Sequence, residues 1–240
     1  MDKRIVIIPT YSEIENIESI IKAVFLLEKT IDVLIVDDNS PDGTALKVKE
    51  LQVQFPDRLY IEVREKKSGL GTAYVHGFKW ALASNYEYIF EMDADFSHNP
   101  KDLEHLYQAC LEGADMSIGS RYSKGVNVVN WPLSRVLLSY FASIYVRLIT
   151  GMKIADATAG FVCYKRNVLE VINLDKVKFI GYAFQIEMKY RAFVNKFKLI
   201  EVPIIFTDRT KGESKMSGSI IKEAVFGVIL LRIKYIFNTL

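Results

Sequence analysis

The feature that most constrains the fold is a regular alternation, over the first 120 residues, of short apolar runs and longer segments with helical periodicity. The apolar runs predict strands at 4–8, 33–36, 59–63, 88–92 and 116–119. The segments between them predict helices at 15–27, 44–55, 72–83 and 101–112, the last with Asn99 as N-cap and Pro100 at its first position. Strands that alternate with helices are typical of a mostly parallel sheet flanked by helices, so we predict an α/β fold.

The alternation ends after Ser120, and the second half of the chain has a different pattern. A long apolar stretch covers 132–150, followed by a predicted strand at 160–164, a helix at 183–193 and a strand at 199–206. A polar loop at 207–217 has the composition of a mobile lid. The tail, 220–240, predicts a helix that is apolar almost all round.

Composition excludes several classes of protein. Half of the residues are hydrophobic, and 31 Lys and Arg nearly balance 29 Asp and Glu, which argues against a disordered chain and against a generally basic nucleic-acid binder. The two cysteines, Cys110 and Cys163, and the lack of a leader-like N-terminus favour a reducing cytoplasmic setting. The longest uncharged run, 136–146, is shorter than the roughly 20 residues that span a bilayer, so we expect no membrane-crossing segment.

Acidic and polar residues follow three of the predicted strands. Glu13 follows the first, Asp37 and Asp38 the second, and Asp93 and Asp95 the fourth. Because ligands bind at the carboxyl ends of the strands in open α/β sheets, these carboxylates are expected to converge on one site. A hard divalent cation such as Mg²⁺ or Mn²⁺, shared with the phosphates of a substrate, would stabilise such a cluster. The alternative is that each Asp forms a turn or caps a helix, as we expect of Asp42 and Asp102.

Several familiar nucleotide and hydrolase motifs are missing from the sequence. The stretch Ser68–Thr72 has two glycines but lacks the third of a dinucleotide-binding fingerprint, so Gly69 and Gly71 either shape a tight loop beside a donor site or form a plain strand-to-helix turn. There is no P-loop and no G-x-S-x-G elbow. The three histidines lack the spacing of a zinc site and are expected to be packed or solvated.

Seven ordered motifs together resemble one family. They are PTYSE at 9–13, VDDNSPDGT at 36–44, GLGTAY at 69–74, MDADFSH at 92–98, W-x-x-x-R-x-x-x-S at 131–139, and GYAFQIEM with DRTKGESKMS at 181–188 and 208–217. The chain resembles the family 2 glycosyltransferases of the GT-A fold, and among them the dolichol-phosphate or polyprenol-phosphate mannose synthases of the short form without transmembrane helices.

The resemblance implies inverting transfer of mannose from GDP-mannose to a polyprenyl monophosphate. By the same resemblance, guanine and ribose would be held by Pro9, Tyr11, Glu13, Val36 and Asp38, and the diphosphate and metal by Asp93, Ala94 and Asp95. The donor's phosphates would be engaged by Arg121, Arg209 and Lys215, and the acceptor phosphate by Arg135 and Ser139. Asp95, Arg121 and Arg209 are the residues implied in catalysis, with Asp93 and Asp95 as metal ligands.

One departure from the family pattern concerns the metal. Some members carry Gln two residues after the second Asp, where this chain has Ser97, so a side-chain metal contact there is less secure. The acceptor phosphate is already an anion at neutral pH, so no deprotonating carboxylate is expected. Arg is suited to phosphate because its planar fork can bind two oxygens at once.

We expect a single catalytic domain, 1–240, with a nucleotide-sugar half at 1–120, an acceptor half and lid at 121–217, and a C-terminal amphipathic helix at 218–240. A polyprenyl acceptor implies peripheral contact with the cytoplasmic face of a membrane, through 132–150 and the tail, or through a small membrane partner subunit. Both segments are equally compatible with ordinary core packing. Two other functions stay open: synthesis of a polyprenyl phosphate glucose, or another such sugar, from a UDP donor, and an inactive glycosyltransferase-like subunit.

Overall fold

A computed structural model describes residues 2–181, 183–209 and 218–237, with only the backbone described for 218–224. Its first half contains strands β1 (Arg4–Thr10), β2 (Asp32–Asp37), β3 (Leu59–Val63), β4 (Tyr88–Glu91) and β5 (Met116–Ser120). The helices between them are α1 (Ile17–Phe25), α2 (Thr44–Gln52), α3 (Leu70–Ala83) and α4 (Asp102–Leu111). The predicted alternation is therefore present, with boundaries shifted by a few residues.

The second half contains strands β6 (Val128–Val129), β7 (Val162–Lys165), β8 (Leu199–Pro203) and β9 (Phe206–Thr207). Its helices are α5 (Leu133–Thr150), α6 (Arg166–Val171), α7 (Ala183–Val194) and α8 (Gly218–Ile236), with a 3₁₀ turn at Leu174–Lys176. The predicted strand at 199–206 is in fact β8 and β9, separated by two residues and belonging to different sheets. Neither α6 nor β6 was predicted.

In the described part of the chain, seven strands form one sheet in the order β3-β2-β1-β4-β7-β5-β8. All neighbours pair in parallel except β7, which runs antiparallel between β4 and β5. The loops that follow the parallel strands β1, β2, β4 and β5 therefore all lie at the same edge of the sheet. A parallel pair of β6 and β9 forms a second, small sheet near that edge.

Alternate residues of the central strands face two separate cores. Ile5 and Ile7 of β1 join the core under α3 and α7, whereas Val6 and Ile8 join the core under α1, α2 and α4. This pattern is that of a strand buried on both faces, as expected for a parallel sheet between two helix layers. Gly77 brings α3 directly against β1, because a Cβ there would lie 2.6 Å from Ile7 Cγ2.

Helices α5 and α8 lie against each other and leave much apolar surface exposed. The Tyr145 hydroxyl donates to the carbonyl of Val225 over 2.8 Å. Among the described helices, α5 alone is long and apolar enough to cross a membrane, and 17% of it is buried. The sequence analysis considered only the uncharged run 136–146, whereas the whole helix is longer and includes Arg135 and Arg147. Its inward side carries Ser143, Val146 and Thr150.

The start of α4 differs from the prediction. The helix begins at Asp102 rather than Pro100, and Asn99 instead opens the turn before it, accepting from the Lys101 amide over 3.1 Å. Asp42 has the local role expected of it, because its Oδ1 accepts from the Thr44 amide and hydroxyl just before α2. Asp42 therefore has a local structural role in the turn before α2.

Candidate active site

The loops that follow β1, β2 and β4 each contain a residue in the left-handed region that is not glycine. They are Ser12 (φ 57°), Asn39 (φ 56°) and Phe96 (φ 59°). Such conformations are sparsely populated for residues with a side chain and cluster at functional sites. The three loops therefore adopt defined, tight conformations at the edge where the acidic residues meet.

The β2 loop is held by hydrogen bonds to Asp37 and Asp38. Asp37 is fully buried and accepts from Thr10 at the end of β1 (2.7 Å) and from the Ser40 hydroxyl (2.6 Å). Asp38 forms an ion pair with Arg64, Nε to Oδ1 2.6 Å, and Arg64 also donates to Thr72 of α3. Asp37 is thus a structural link between strands, whereas Asp38, predicted to bind the donor, lies beside the Gly69–Thr72 turn.

The other residues predicted for guanine and ribose lie along the same edge. Val36 is buried within β2, Pro9 lies near the end of β1, and Tyr11 is half-buried beneath the Lys67 ammonium, 4.2 Å from the ring centroid. Glu13 is fixed through its amide, which donates to the Thr44 hydroxyl over 3.0 Å. The structure therefore places them together at the ends of β1 and β2.

The loop after β4 carries Asp93 and Asp95 in different surroundings. Asp95 is 6% exposed; Ser97 donates to its Oδ1 through both amide and hydroxyl, and Arg209 lies 3.1 Å from its Oδ2. The Asp93 side chain is 38% exposed to a cavity. Its enclosed position and the neighbouring Asp95 carboxylate raise the pKa of Asp93 to about 8, although Arg209 opposes the shift.

This donor set fits a hard divalent cation bound jointly with substrate. Among the described residues no group of three or more His, Cys, Asp and Glu side chains could hold a metal ion by itself. Asp93 and Asp95 lie on one loop, and their mutual repulsion adds to the effect of burial in raising the pKa of Asp93; a divalent cation would relieve that repulsion. Mg²⁺ and Mn²⁺ are commonly held by one or two carboxylates together with phosphate oxygens, so Asp93 and Asp95 are the residues that would hold the ion.

Arg121 follows β5 and is fixed by a buried carboxylate. Its Nε and Nη2 each lie 2.6 Å from one oxygen of Asp156, which is fully buried, and Nη2 also donates to Thr158 over 2.8 Å. The guanidinium lies beside the contacting rings of Trp131 and Phe206, 5.4 and 5.6 Å from their centroids. Arg121, which was predicted to bind phosphate, is therefore held rigidly by this ion pair. Asp156 is a positioning residue that the sequence analysis did not identify.

Arg135 and Ser139 lie one helical turn apart on α5, at the other side of the cavity. Arg135 stacks on Trp131 at 4.0 Å and donates from Nη1 to Asp208 over 2.9 Å. The buried indole Nε1 of Trp131 has no hydrogen-bond partner among the described residues. Arg135 and Ser139 both line the cavity, so a cation and a hydroxyl group are available there to an anion.

One cavity of about 350 Å³ is lined by part of the predicted set, whereas Asp95 and the residues predicted for guanine and ribose are not among its lining residues. Five of the predicted residues line it: Asp93, Arg121, Arg135, Ser139 and Arg209. Its far wall is apolar, with Leu138, Phe141, Tyr145 and Val225 from α5 and α8. Lys215, predicted to engage the donor, and most of the lid, 210–217, lie outside the described residues.

His98 lines the cavity, and the sequence did not single it out. It is 3% exposed, stacks on Phe161 at 4.8 Å and accepts at Nδ1 from the Asp93 amide over 3.4 Å. Burial lowers its pKa to about 4, so the imidazole is neutral at pH 7. Its position directly after the acidic loop, in MDADFSH, was the only sequence signal for it.

A second group that the sequence did not predict lies beneath the cavity. Glu91, at the end of β4, is fully buried and accepts from Tyr164 over 2.9 Å and from Gln185 over 2.6 Å. Lys189, one turn after Gln185 on α7, is also fully buried. Burial raises the pKa of Glu91 to about 7 and lowers that of Lys189 to about 8.

Comparison with known proteins identifies the family. Residues 5–172 match the model of glycosyl transferase family 2. The chain is 48% identical over 226 residues to a polyprenol monophosphomannose synthase of Mycolicibacterium smegmatis, which covers 94% of this chain and 85% of the relative. It is 42% identical to an undecaprenyl-phosphate mannosyltransferase of Micrococcus luteus, covering 92% and 90%, and 37% identical to a dolichol-phosphate mannosyltransferase of Pyrococcus furiosus, covering 91% and 60%.

Solved structures match the fold at low sequence identity. Glucosyl-3-phosphoglycerate synthase from Mycobacterium tuberculosis, in complex with Mn²⁺, UDP and glucosyl-3-phosphoglycerate, superimposes with a TM-score of 0.69 at 17% identity, over 96% of this chain and 80% of that one. The same enzyme with phosphoglyceric acid in place of the product gives a TM-score of 0.70 at 16% identity, over 96% and 78%. The expected fold and resemblance are confirmed: the chain belongs to glycosyl transferase family 2 and is a glycosyltransferase of the GT-A fold.

Proposed function

We propose that the protein transfers mannose from GDP-mannose to a polyprenyl monophosphate, with inversion to a β-linked product. The observation that carries the proposal is the cavity, which has Asp93 and Arg209 at one side, Arg135 and Ser139 at another, and an apolar wall. An amphiphilic acceptor needs this combination, because its phosphate must meet cations while its chain lies against hydrocarbon.

The acceptor end is supported by the contacts of α5. Arg135 and Ser139 offer a cation and a neutral donor to a phosphate group. From there Leu138 and Phe141 lead to the surface, where their side chains are 48% and 59% exposed. A prenyl chain bound along this path would leave the protein between α5 and α8.

The transferred sugar and the acceptor, but not the base of the donor, are supported by the curated relatives, whose names include mannose transfer and a polyprenyl, undecaprenyl or dolichyl phosphate. The rival donor is a UDP-hexose, because the solved relatives of the same fold bind UDP. Those structures are only 16–17% identical to this chain, so they bear on the fold rather than on the base.

Asp93 and Asp95 would hold the divalent cation, which when bound neutralises charge that develops on the leaving diphosphate. An acceptor phosphate oxygen forms the new bond to the anomeric carbon on the face opposite the leaving group, and the electron pair of the broken bond departs with GDP. Arg209, beside Asp95, adds a second positive charge at that position. Because the attacking phosphate is already an anion, no side chain has to remove a proton.

We place the active protein at the cytoplasmic face of a membrane, attached peripherally through α5 and α8. Exposed apolar side chains on both helices support this placement, among them Leu137, Leu148, Phe226 and Ile233. A small membrane subunit that covers this surface is an alternative means of attachment.

The test is a transfer assay with purified protein, Mg²⁺ and a short polyprenyl phosphate, offering labelled GDP-mannose and UDP-glucose in parallel and following label into the organic phase. We expect label from GDP-mannose only, and its loss when EDTA is added. Label from UDP-glucose alone would overturn the donor assignment, whereas no label from either in the presence of membranes would overturn the acceptor assignment.

Asp95→Asn tests the metal ligand in the same assay. Removing one carboxylate from the site should lower kcat by at least about 100-fold, on the scale of losing one preorganised charge at a reacting centre. Asp102→Asn is the matched control, since Asp102 lies in the first turn of α4. Activity of Asp95→Asn within a few-fold of the wild type would contradict its assignment as a ligand.

A further inference from the structure

The cavity wall includes one amide, Gln185, that the proposed mechanism does not use. Gln185 is 3% exposed and lines the cavity next to Gly160. Both atoms of its amide are held by charged residues beneath: Nε2 donates to Glu91 over 2.6 Å, and Oε1 lies 3.3 Å from Lys189 Nζ. Burying two ionisable side chains to hold one neutral amide is costly unless the amide has a role.

The orientation of this amide follows from the hydrogen-bond inventory. An ammonium group has three donors, and Lys189 Nζ meets three oxygens: Ala159 O at 2.6 Å, Gln185 O at 3.2 Å and Gln185 Oε1 at 3.3 Å. Because Lys189 donates, the amide oxygen must face it, and the amide nitrogen must face Glu91. Glu91 in turn is fixed by the Tyr164 hydroxyl.

A primary amide has two N–H bonds, and Glu91 uses one of them. The absence of a side chain at residue 160 leaves space beside the nitrogen, since a Cβ built on Gly160 would lie 3.6 Å from Gln185 Nε2. Gly160 itself lines the cavity. The second N–H is therefore available to a ligand that occupies the cavity at this point.

The charge around the amide selects the kind of ligand. The Glu91 carboxyl group, 2.6 Å from the nitrogen, and the Lys189 ammonium, 3.3 Å from the oxygen, offset each other, so the amide adds no net positive charge for a phosphate and its second N–H is suited to a neutral hydroxyl oxygen. We propose that Gln185 binds a hydroxyl of the transferred hexose, and that Glu91 and Lys189 are positioning residues for this contact. The inference rests on the proposed use of a nucleoside diphosphate hexose as donor.

The test compares two ligands by calorimetry in the presence of Mg²⁺: GDP, which lacks the hexose, and GDP-mannose. For Gln185→Leu we expect GDP affinity to stay within twofold of the wild type and GDP-mannose affinity to fall about 5- to 10-fold, the scale of one hydrogen bond. Gln108→Leu makes the same change on α4 and should alter neither affinity. Equal changes for both ligands, or no change for either, would overturn the proposal.

Gly160→Ala provides a variant that does not disturb the buried network. The added methyl group makes ordinary contact at 3.6 Å, so the melting temperature should be unchanged while GDP-mannose affinity falls about two- to fivefold and GDP affinity does not. This variant decides the question if Gln185→Leu fails to fold, and unchanged GDP-mannose affinity in it would contradict the contact.

Two further arms separate this proposal from its premise. If the wild type binds UDP-glucose and not GDP-mannose, the donor assignment is wrong. The role of Gln185 can then be tested in the same way by comparing UDP with UDP-glucose. If Gln185→Leu instead weakens only a short polyprenyl phosphate, titrated with GDP present, the amide serves the acceptor and the hexose contact is wrong.

Discussion

At the scale of single residues, the site is built on charges that are paired below its surface. Asp156 fixes Arg121 through both carboxylate oxygens, and Glu201 in turn accepts from the amides of Ala155 and Asp156. A guanidinium held in this way presents a defined cation to the cavity without having to order a flexible side chain when ligand binds.

We expect Asp156→Asn to destabilise the protein by about 3 kcal/mol at pH 7, because it leaves Arg121 as a buried charge without its counter-ion. Burial alone would raise the pKa of Asp156, but the charge and hydrogen bonds of Arg121 outweigh it, and the pKa lies below its ordinary value. A depressed pKa contributes stability above the unfolded value of about 3.9, and that stability is lost as the pH falls through the folded value. The difference in unfolding free energy between the two proteins, measured by urea denaturation, should therefore narrow as the pH falls below about 3.9; a difference independent of pH would argue against the ion pair as its source.

At the scale of elements, the parallel half of the sheet followed directly from the sequence, and the second half did not. Each of β1 to β5 is an apolar run bounded by turn residues, so local pattern sufficed. The antiparallel insertion of β7 between β4 and β5 depends on long-range pairing of Val162 with Glu91 and Ile118, which no local pattern encodes. For the same reason, only part of the site could be predicted from the sequence. Asp93 and Asp95 belong to a local motif, whereas Asp156, Gln185 and Lys189 come close to the site only through tertiary packing.

Gly77→Ala tests how closely α3 approaches β1. Alanine is favoured over glycine within a helix by about 1 kcal/mol, but its Cβ would lie 2.6 Å from Ile7 Cγ2, and overpacking a core costs about 1–3 kcal/mol. We expect a net destabilisation of about 1 kcal/mol, measured by thermal denaturation. Lys79→Ala, at an exposed position of the same helix, should not destabilise; a Gly77→Ala variant more stable than the wild type would show that β1 and α3 can separate freely.

The apolar surface of α5 and α8 predicts binding to lipid. Phe226 is 71% exposed, and transfer of a phenylalanine side chain from water is worth about 1.5–3 kcal/mol, so Phe226→Gln should weaken sedimentation with mixed phosphatidylcholine and phosphatidylglycerol vesicles by about 10-fold. Val53→Gln is the matched control, since Val53 is 84% exposed at the end of α2, in the opposite helix layer. An equal loss of vesicle binding in the two variants would indicate nonspecific hydrophobic binding rather than a membrane-facing surface.

At the scale of the whole molecule, the cavity is closed by contacts between distant parts of the chain. The Thr207 amide donates to Ser97 O, Arg209 pairs with Asp95, and Arg135 of α5 pairs with Asp208. The loop after β4, the helix α5 and the segment after β9 thus meet around one space. A donor that contacts Asp95 and Arg209 together would connect the first and last parts of the sequence, so its binding energy adds to the stability of the folded chain as a whole.

This coupling predicts a thermal shift that needs nucleotide and metal together. At about 100 times the dissociation constant, GDP with Mg²⁺ should stabilise the fold by about 2.7 kcal/mol, which for a chain of this size raises the melting temperature by roughly 5–10 °C. EDTA should remove most of the shift, because the acidic site then faces the diphosphate without a cation. Arg209→Gln should reduce the shift and also lower the melting temperature of the free protein, because the buried Asp95 carboxylate loses its counter-ion. Arg166→Gln, which breaks the surface pair with Glu170, should retain the full shift.

A shift of equal size with and without Mg²⁺ would mean that the nucleotide binds independently of Asp93 and Asp95, and the two carboxylates would then need another explanation.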